Sequence, residues 1–228
     1  MGSDILTFKE NLLRTTTFGK TVLGIAAVTC MLVAGATSAT AAPAVDAFTE
    51  ARSFLSQYGV DAQTQDALIA SYEAGESWDS FSSDSVPVTT TSSIKGGFQE
   101  DISHYADGSV SVTRIEQAKK PGVSTRSSPR GCTVSGSNRN NCTVDTWVGL
   151  IRLSFKASYN VSTNTVTNVY GAGWQIGGAC SASLVYLGKP AKNIGRMDVN
   201  AQMCGVPYNS TFFLAVTLKR GVATKSWG

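Results

Sequence analysis

Three groups of cations carry the chain's clearest chemical signal. Lys119, Lys120, Arg126 and Arg130 fall within one stretch, Lys189, Lys192 and Arg196 within a second, and Lys219, Arg220 and Lys225 near the C-terminus. Brought to one face, they would concentrate an anionic polymer such as a wall teichoic acid, an acidic polysaccharide or nucleic acid, with an affinity that falls as salt rises. Left scattered, they are a solvated surface and nothing more. The elements that position them decide between these outcomes.

Other residue types give catalysis little to work with. His104 is the single histidine and lies beside Glu100 and Asp101. A serine–histidine–acid site needs such a histidine, but no Gly-x-Ser-x-Gly elbow accompanies it, so it reads as an ordinary strand residue facing solvent. A glycosidase needs two carboxylates across a cleft. The β-rich part has few, in separate segments, and Asp107 belongs to a turn. Gly171-Ala172-Gly173 is no phosphate loop, since neither a helix nor a Gly-Lys-Ser/Thr completes it. No cofactor is expected.

Cysteine usage and the leader point to export. Lys9, Arg14 and Lys20 precede an apolar run from Thr21 to Ala36, and Ala39-Thr40-Ala41 offers small residues for cleavage before Ala42, so residues 1–41 read as a signal peptide. The run is short of the roughly 20 apolar residues that span a bilayer, so no stable membrane span is expected after cleavage. Cys30 would leave with the signal. Cys132, Cys142, Cys180 and Cys204 remain, an even number with no C-x-x-C pair. Two disulfides are the expectation, Cys132–Cys142 and Cys180–Cys204 of the three connectivities, in preference to a zinc site.

Charge divides the remainder in two. From Ala42 to Asp101 ten carboxylates face only Arg52 and Lys95, a net −8; from Ile102 to Gly228 fourteen Lys and Arg face four carboxylates, a net +10. Such opposition suggests parts with different work, the basic one having an anionic partner, external or the acidic segment itself. Residues 42–76 read as an acidic helical hairpin. Val45, Phe48, Ala51 and Leu55 recur at helical spacing before Gly59; Asp61 can cap a second helix carrying Leu68, Ile69 and Tyr72 on one face, with Gly75 as its stop. These apolar faces are small, so the pair needs a docking surface. Residues 77–93, rich in Ser, Thr and Asp, read as a linker with one strand near Val86 to Thr89.

Residues 94–228 read as a basic, disulfide-bonded β domain. Phe98 to Tyr105 and Ser109 to Glu116 flank Ala106-Asp107-Gly108, a hairpin signal. Gln117 to Gly131 reads as a basic loop. Trp147, Ile151, Leu153, Phe155, Ala157 and Tyr159 then alternate with polar residues, predicting one half-buried strand. After a turn at Ser162-Thr163-Asn164, the bulky residues Val166, Tyr170, Ala172, Trp174 and Ile176 predict a returning strand, with Gly171 and Gly173 as candidate bulge positions. Strands at Ser181 to Leu187, Arg196 to Met203 and Ser210 to Arg220 complete a mainly β fold, an antiparallel sandwich or barrel-like domain behind a short helical hairpin. Trp147, Phe155, Tyr170 and Trp174 read as core.

Two strings, Ala74-Gly75-Glu76-Ser77-Trp78-Asp79-Ser80 and Asp107-Gly108-Ser109-Val110-Ser111-Val112-Thr113, resemble a group of exported actinobacterial proteins in which a helical segment precedes a cysteine-containing β domain. The likeness covers mainly Phe48 to Glu116. It implies export and architecture, and no activity. The expectation for function is a secreted, non-enzymatic binding module for an anionic cell-envelope or extracellular ligand. The alternatives are an antimicrobial or toxin-like domain masked by an acidic pro-segment, and a hydrolase acting on wall or carbohydrate material.

Overall fold

Asp61 and the glycines at 59 and 75 delimit two helices as their chemistry requires. The computed structural model describes residues 47–119, 131–204 and 209–228; the leader, residues 1–41, lies outside them. Helix α1 (Ala47–Gln57) buries Ala51, Phe54 and Leu55, at the i, i+3, i+4 spacing of one helix face. Helix α2 (Ala62–Glu73) starts at Asp61, whose Oδ1 accepts from Thr64 N at 3.0 Å, and buries Leu68, Ile69 and Tyr72. Buried Gln65 donates from Nε2 to Ser56 Oγ at 2.9 Å and Val60 O at 2.8 Å, and Arg52 pairs with Asp66 at 2.6 Å, so the two helices are tied to each other.

The start of the stretch expected as a linker is part of the core, while most of the remainder is exposed. A short 3-10 helix at Asp79–Phe81 follows Trp78, and Trp78 and Phe81 are 1% and 3% exposed. Strand β1 (Thr89–Lys95) begins within the stretch, so the boundary drawn at Ser93 falls inside a strand. The Ser/Thr-rich composition concealed two aromatic anchors. Trp78 Nε1 donates to Leu68 O at 2.6 Å, its ring stacks on Phe81 at 4.9 Å, and Phe81 meets Phe212 edge-on at 6.3 Å. Helices, connecting segment and sheets thus share one apolar cluster.

Ten further strands follow: β2 (Phe98–His104), β3 (Val110–Glu116), β4 (Thr133–Ser135), β5 (Asn138–Val148), β6 (Ile151–Asn160), β7 (Thr165–Ile176), β8 (Ala179–Ala191), β9 (Ile194–Met203), β10 (Asn209–Lys219) and β11 (Val222–Trp227). They form a seven-stranded antiparallel sheet in the order β1-β2-β3-β5-β6-β7, with β4 on β5, and a four-stranded sheet β11-β10-β9-β8. The arrangement is a sandwich, not a closed barrel. Cross-strand pairing puts Ile115, Val144 and Phe155 in one row, all buried, on the face toward the second sheet. The opposite face carries Val112 and Trp147, and Phe54 of α1 lies against Trp147 with ring centroids 4.6 Å apart. This sheet face is the docking surface the helices need.

Three details depart from simple alternation. The strand expected from Trp147 to Tyr159 breaks at Gly149-Leu150 into β5 and β6. Gly149 has φ +60, and a Cβ there would come within 2.5 Å of the Trp78 ring, so turn and indole fit only because the residue is glycine. The break sends Trp147 to the helix-covered face while Ile151, Leu153 and Phe155 face the second sheet. In β7 the register against β6 shifts between Ser154 and Lys156, beside Gly171 at φ +65. This bulge turns Tyr170 to the Lys156 side, where its hydroxyl meets Asn141 Oδ1 at 2.5 Å. Trp174 sits on the edge strand β7 at 40% exposure, so neither residue is the core residue that alternation predicted.

Both disulfides form as expected. Cys132–Cys142 closes the β4–β5 hairpin, and Cys180–Cys204 joins the start of β8 to the end of β9.

Candidate functional site

Antiparallel order fixes which end of the sandwich each turn occupies. Because β2 pairs with β1 and β3, β5 with β3 and β6, and β9 with β8 and β10, the turns β1–β2, β4–β5, β6–β7, β8–β9 and β10–β11 all fall at one end. The connections β2–β3, β5–β6, β7–β8 and β9–β10 fall at the other. Cross-sheet hydrogen bonds keep the two sheets in step: Val166 N donates to Lys192 O at 2.7 Å and Gly221 N to Asn164 Oδ1 at 2.8 Å.

The turn end is basic. Lys189 lies near the end of β8 and Lys192 in the β8–β9 turn, Lys219 ends β10 and Arg220 enters the β10–β11 turn, and all four are exposed. Arg139 stands at the start of β5 at the same end, its Nη1 donating to Gly136 O and Asn138 O. Lys119, past the end of β3, is exposed there too and joins Thr133 by a parallel bridge. Among the described residues none of these six forms an ion pair. Glu116 is the carboxylate in this region, and its Oε2 accepts from Thr143 N at 3.2 Å.

The turns that carry the cations are bonded to one another. Besides the two cross-sheet bonds, Leu218 N donates to Asn193 O at 2.9 Å and Asn193 Nδ2 to Leu218 O at 3.2 Å, locking the β8–β9 turn to the end of β10. Lys189 Nζ reaches Thr167 O at 3.2 Å. The β10–β11 turn places Arg220 at φ +51 and Gly221 at φ +77, the pair of positive values a two-residue primed turn requires. Asn-Gly satisfies such a turn with little strain, whereas an arginine held there costs about 1 kcal/mol or more.

The other proposed cations divide. Lys120, Arg126 and Arg130 lie outside the described residues. Arg196 sits mid-strand in β9, pairs with Asp198 at 2.5 Å and stacks over Phe213 at 4.2 Å, so its charge is already answered within the fold. Lys225, in β11, has a side chain 1% exposed and pairs with Asp101 of β2 at 2.7 Å. Arg139, which the sequence left among the polar residues between Cys132 and Cys142, joins the turn end because the disulfide hairpin projects it there.

The acidic segment occupies the opposite end. Gly108 approaches Thr64, Gly149 approaches Trp78, and Gly178 approaches Tyr72, each contact joining the helical segment to a connection at that end. Asp107 Oδ2 accepts from Asp79 N at 2.8 Å, fastening the 3-10 helix to the β2–β3 turn. Among the described residues no carboxylate of 47–93 pairs with a cation of the turn end. Among the described residues, then, the acidic segment contacts the connections of one end, and the exposed turn cations stand at the other.

Groups suited to catalysis are not assembled. His104 stands in β2, opposite Thr89 and Val110, on the turn-distant side. Arg114 holds Asp145 with two bonds, Nε to Oδ1 at 2.7 Å and Nη2 to Oδ2 at 3.0 Å, which raises the arginine's pKa. Tyr58 of the α1–α2 connection lies over this pair; burial, then Glu100, pushes its hydroxyl's pKa up. The group anchors α1 to the sheet. Among the described residues no cluster of three His, Cys, Asp or Glu could hold a metal ion, and no helix is long and apolar enough to cross a membrane.

Two concave features complete the surface. A cleft of about 210 Å³ between α1 and the β5–β6 turn is lined by Glu50, Ser53, Trp147, Leu150, Arg152 and Gln175. A shallower groove of about 310 Å³ runs between the segment at Ser82 to Pro87, β2–β3 and β11, walled mainly by hydroxyls including Ser103, Tyr105, Ser111 and Thr113. Comparison with models of protein families, with curated proteins and with solved structures finds no match.

Proposed function

We propose that this chain is an exported, non-enzymatic module that binds an anionic polymer of the cell envelope or its surroundings through the turn end of the sandwich. The observation that carries this reading is the set of mutually hydrogen-bonded turns holding Lys189, Lys192, Lys219 and Arg220 exposed and, among the described residues, without an ion pair. Turns fixed to one another hold the backbones that carry the cations at set spacing before a ligand arrives, so that only the side chains are left to order on binding. A repeating phosphate or carboxylate chain can then bridge several cations at once, with release of its counterions.

Several features support the setting. Residues 1–41 have the form of an export leader, and the two disulfides are consistent with an oxidising compartment outside the cell. The acidic helical segment would repel the same polymer, which would favour approach by the turn end. Trp78 and Phe81 sit in the core, which argues against residues 42–93 as a detachable pro-segment.

Retention on a column of immobilised glycerol-phosphate polymer tests the reading. The protein is expected to be held at low salt and released at high salt, and Lys192→Glu with Arg220→Glu to elute early. Passage of the wild type without retention at low salt would remove the proposal.

A further inference from the structure

The cleft at the helical end carries chemistry that polymer binding does not use. Trp147, Arg152 and Gln175 are neighbours across β5, β6 and β7 on the face that α1 covers. Trp147 is held rigidly: Phe54 lies against its ring, and its Nε1 donates to Gly149 O at 3.1 Å. The Arg152 guanidinium stands 5.6 Å from the same ring centroid. Gln175 Nε2 donates to Glu50 Oε2 at 2.7 Å, which fixes the carboxylate of α1 at the far side of the row.

Glu50 and Arg152 are opposite charges lining one cleft, yet among the described residues they do not pair with each other or with any other charge. Gln175 is interposed between them in the row. Its amide nitrogen is used on Glu50, which leaves the amide oxygen as an acceptor. The cleft therefore presents a fork-shaped cation, a carboxylate, an amide oxygen and an aromatic wall within about 210 Å³. Pockets for drug-sized ligands are larger, about 300–1,000 Å³. The volume suits a small molecule, and a simple anion or cation would leave one of the two protein charges unanswered.

We propose that this cleft binds a free α-amino acid. Its carboxylate takes the two parallel bonds of the Arg152 guanidinium, its ammonium group bridges Glu50 and the Gln175 amide oxygen, and its side chain lies on Trp147 and Leu150. Because the site contributes one charge of each sign, its affinity depends far less on salt than that of the turn end.

The test follows the indole N–H resonance of Trp147, assigned by Trp147→Phe, while each of the common amino acids is added singly at millimolar concentration. At least one is expected to shift the resonance in a saturable way. Its N-acetyl derivative and its methyl ester are each expected to bind at least about tenfold more weakly, as is the parent amino acid to Arg152→Gln or Glu50→Gln, the equivalent of about 1.4 kcal/mol. Both substituted side chains are exposed, so an unchanged far-ultraviolet spectrum will show that the variants fold. Absence of a saturable shift with every amino acid would overturn the proposal, and so would equal binding of the acetylated or esterified forms. Neither result depends on whether the turn end binds a polymer.

Discussion

Trp78→Ala tests whether the acidic segment and the sandwich are one folding unit. The indole is 1% exposed, donates to Leu68 O at 2.6 Å, stacks on Phe81 at 4.9 Å and meets Tyr72 edge-on at 6.3 Å. Truncating a buried tryptophan costs about 3–5 kcal/mol through lost burial and the residual cavity. The Leu68 carbonyl keeps its place in the helical ladder of α2, so loss of the indole bond adds only about 0.5–1.5 kcal/mol. A total near 5 kcal/mol would consume much of the about 5–15 kcal/mol stability of an ordinary domain. With a urea dependence of about 2 kcal/mol/M, the unfolding midpoint should fall by about 2.5 M. Trp78→Phe keeps one ring's contact but removes the donor and part of the buried indole volume, so about 1–3 kcal/mol should be lost. Urea unfolding followed by far-ultraviolet dichroism and by fluorescence should give coincident transitions for the wild type and both variants. A loss below about 1 kcal/mol for Trp78→Ala would refute the reasoning, as would helical signal melting alone while the sheet transition stays in place.

Three further outcomes follow from the same structure. Arg220→Asn should raise the thermal midpoint, by the equivalent of about 0.5–1 kcal/mol, because asparagine accepts the positive φ more readily; retention on the anionic column should fall in the same variant. Dithiothreitol should open Cys180–Cys204, whose cysteines are exposed, before the buried Cys132–Cys142, as timed alkylation and mass analysis will show. By loop-closure entropy, loss of the longer-range bridge should cost about 3.5 kcal/mol and of the shorter about 2.8 kcal/mol. Burial raises the pKa values of Tyr58 and Tyr159 in the folded state. The folded state therefore holds those protons more tightly, and the associated stability is complete below about pH 10 and lost as pH rises through the folded values. Unfolding midpoints measured up the alkaline range should decline there, and Tyr58→Phe with Tyr159→Phe should flatten the decline.

Local rules read well from this sequence where a single residue type settles the geometry. Asp61 had a capping role that needed only Thr64 three residues on, and Asp107-Gly108 had one short turn to make. The disulfides were legible because closing the short Cys132–Cys142 and the longer Cys180–Cys204 loops was the simplest pairing. Alternation failed where the backbone changed phase without a change of composition. Nothing in the run from Trp147 to Tyr159 marks Gly149 as a turn except its contact with Trp78, seventy-one residues earlier. The bulge at Gly171 was legible as a possibility, but its effect, the transfer of Tyr170 to the other face, depends on which side the extra residue takes. The serine-rich stretch from 77 to 93 hid Trp78 and Phe81 for a similar reason. Their burial depends on a partner surface that only the completed sandwich provides.

The cation groups show the same limit at the level of the site. Spacing along the chain put Arg196 with Lys189 and Lys192, yet strand direction carries Arg196 away from the turn into a pair with Asp198. Arg139 arrives at the turn end through the β4–β5 hairpin, and no sequence cluster contained it. Glu50 and Gln175, separated by most of the chain, meet only because α1 lies across the edge of the first sheet. Turn residues at one end of an antiparallel sandwich converge by topology, and that convergence can be read only once strand order is known.

Salt dependence of polymer binding is the most direct measurement of the account's central claim. Fluorescence anisotropy of a labelled glycerol-phosphate oligomer, titrated with protein across a range of sodium chloride, gives the slope of log affinity against log salt. Four cations releasing counterions at about 0.7–0.9 each predict a slope near −3, a loss of about 50- to 150-fold between about 50 and about 200 mM salt. Replacing Lys192 and Arg220 by glutamine should reduce the magnitude of that slope by about 1.5, while Arg196→Gln should leave it unchanged. A slope near zero, or equal effects of Arg196→Gln and the turn substitutions, would contradict the assignment of binding to the turn end.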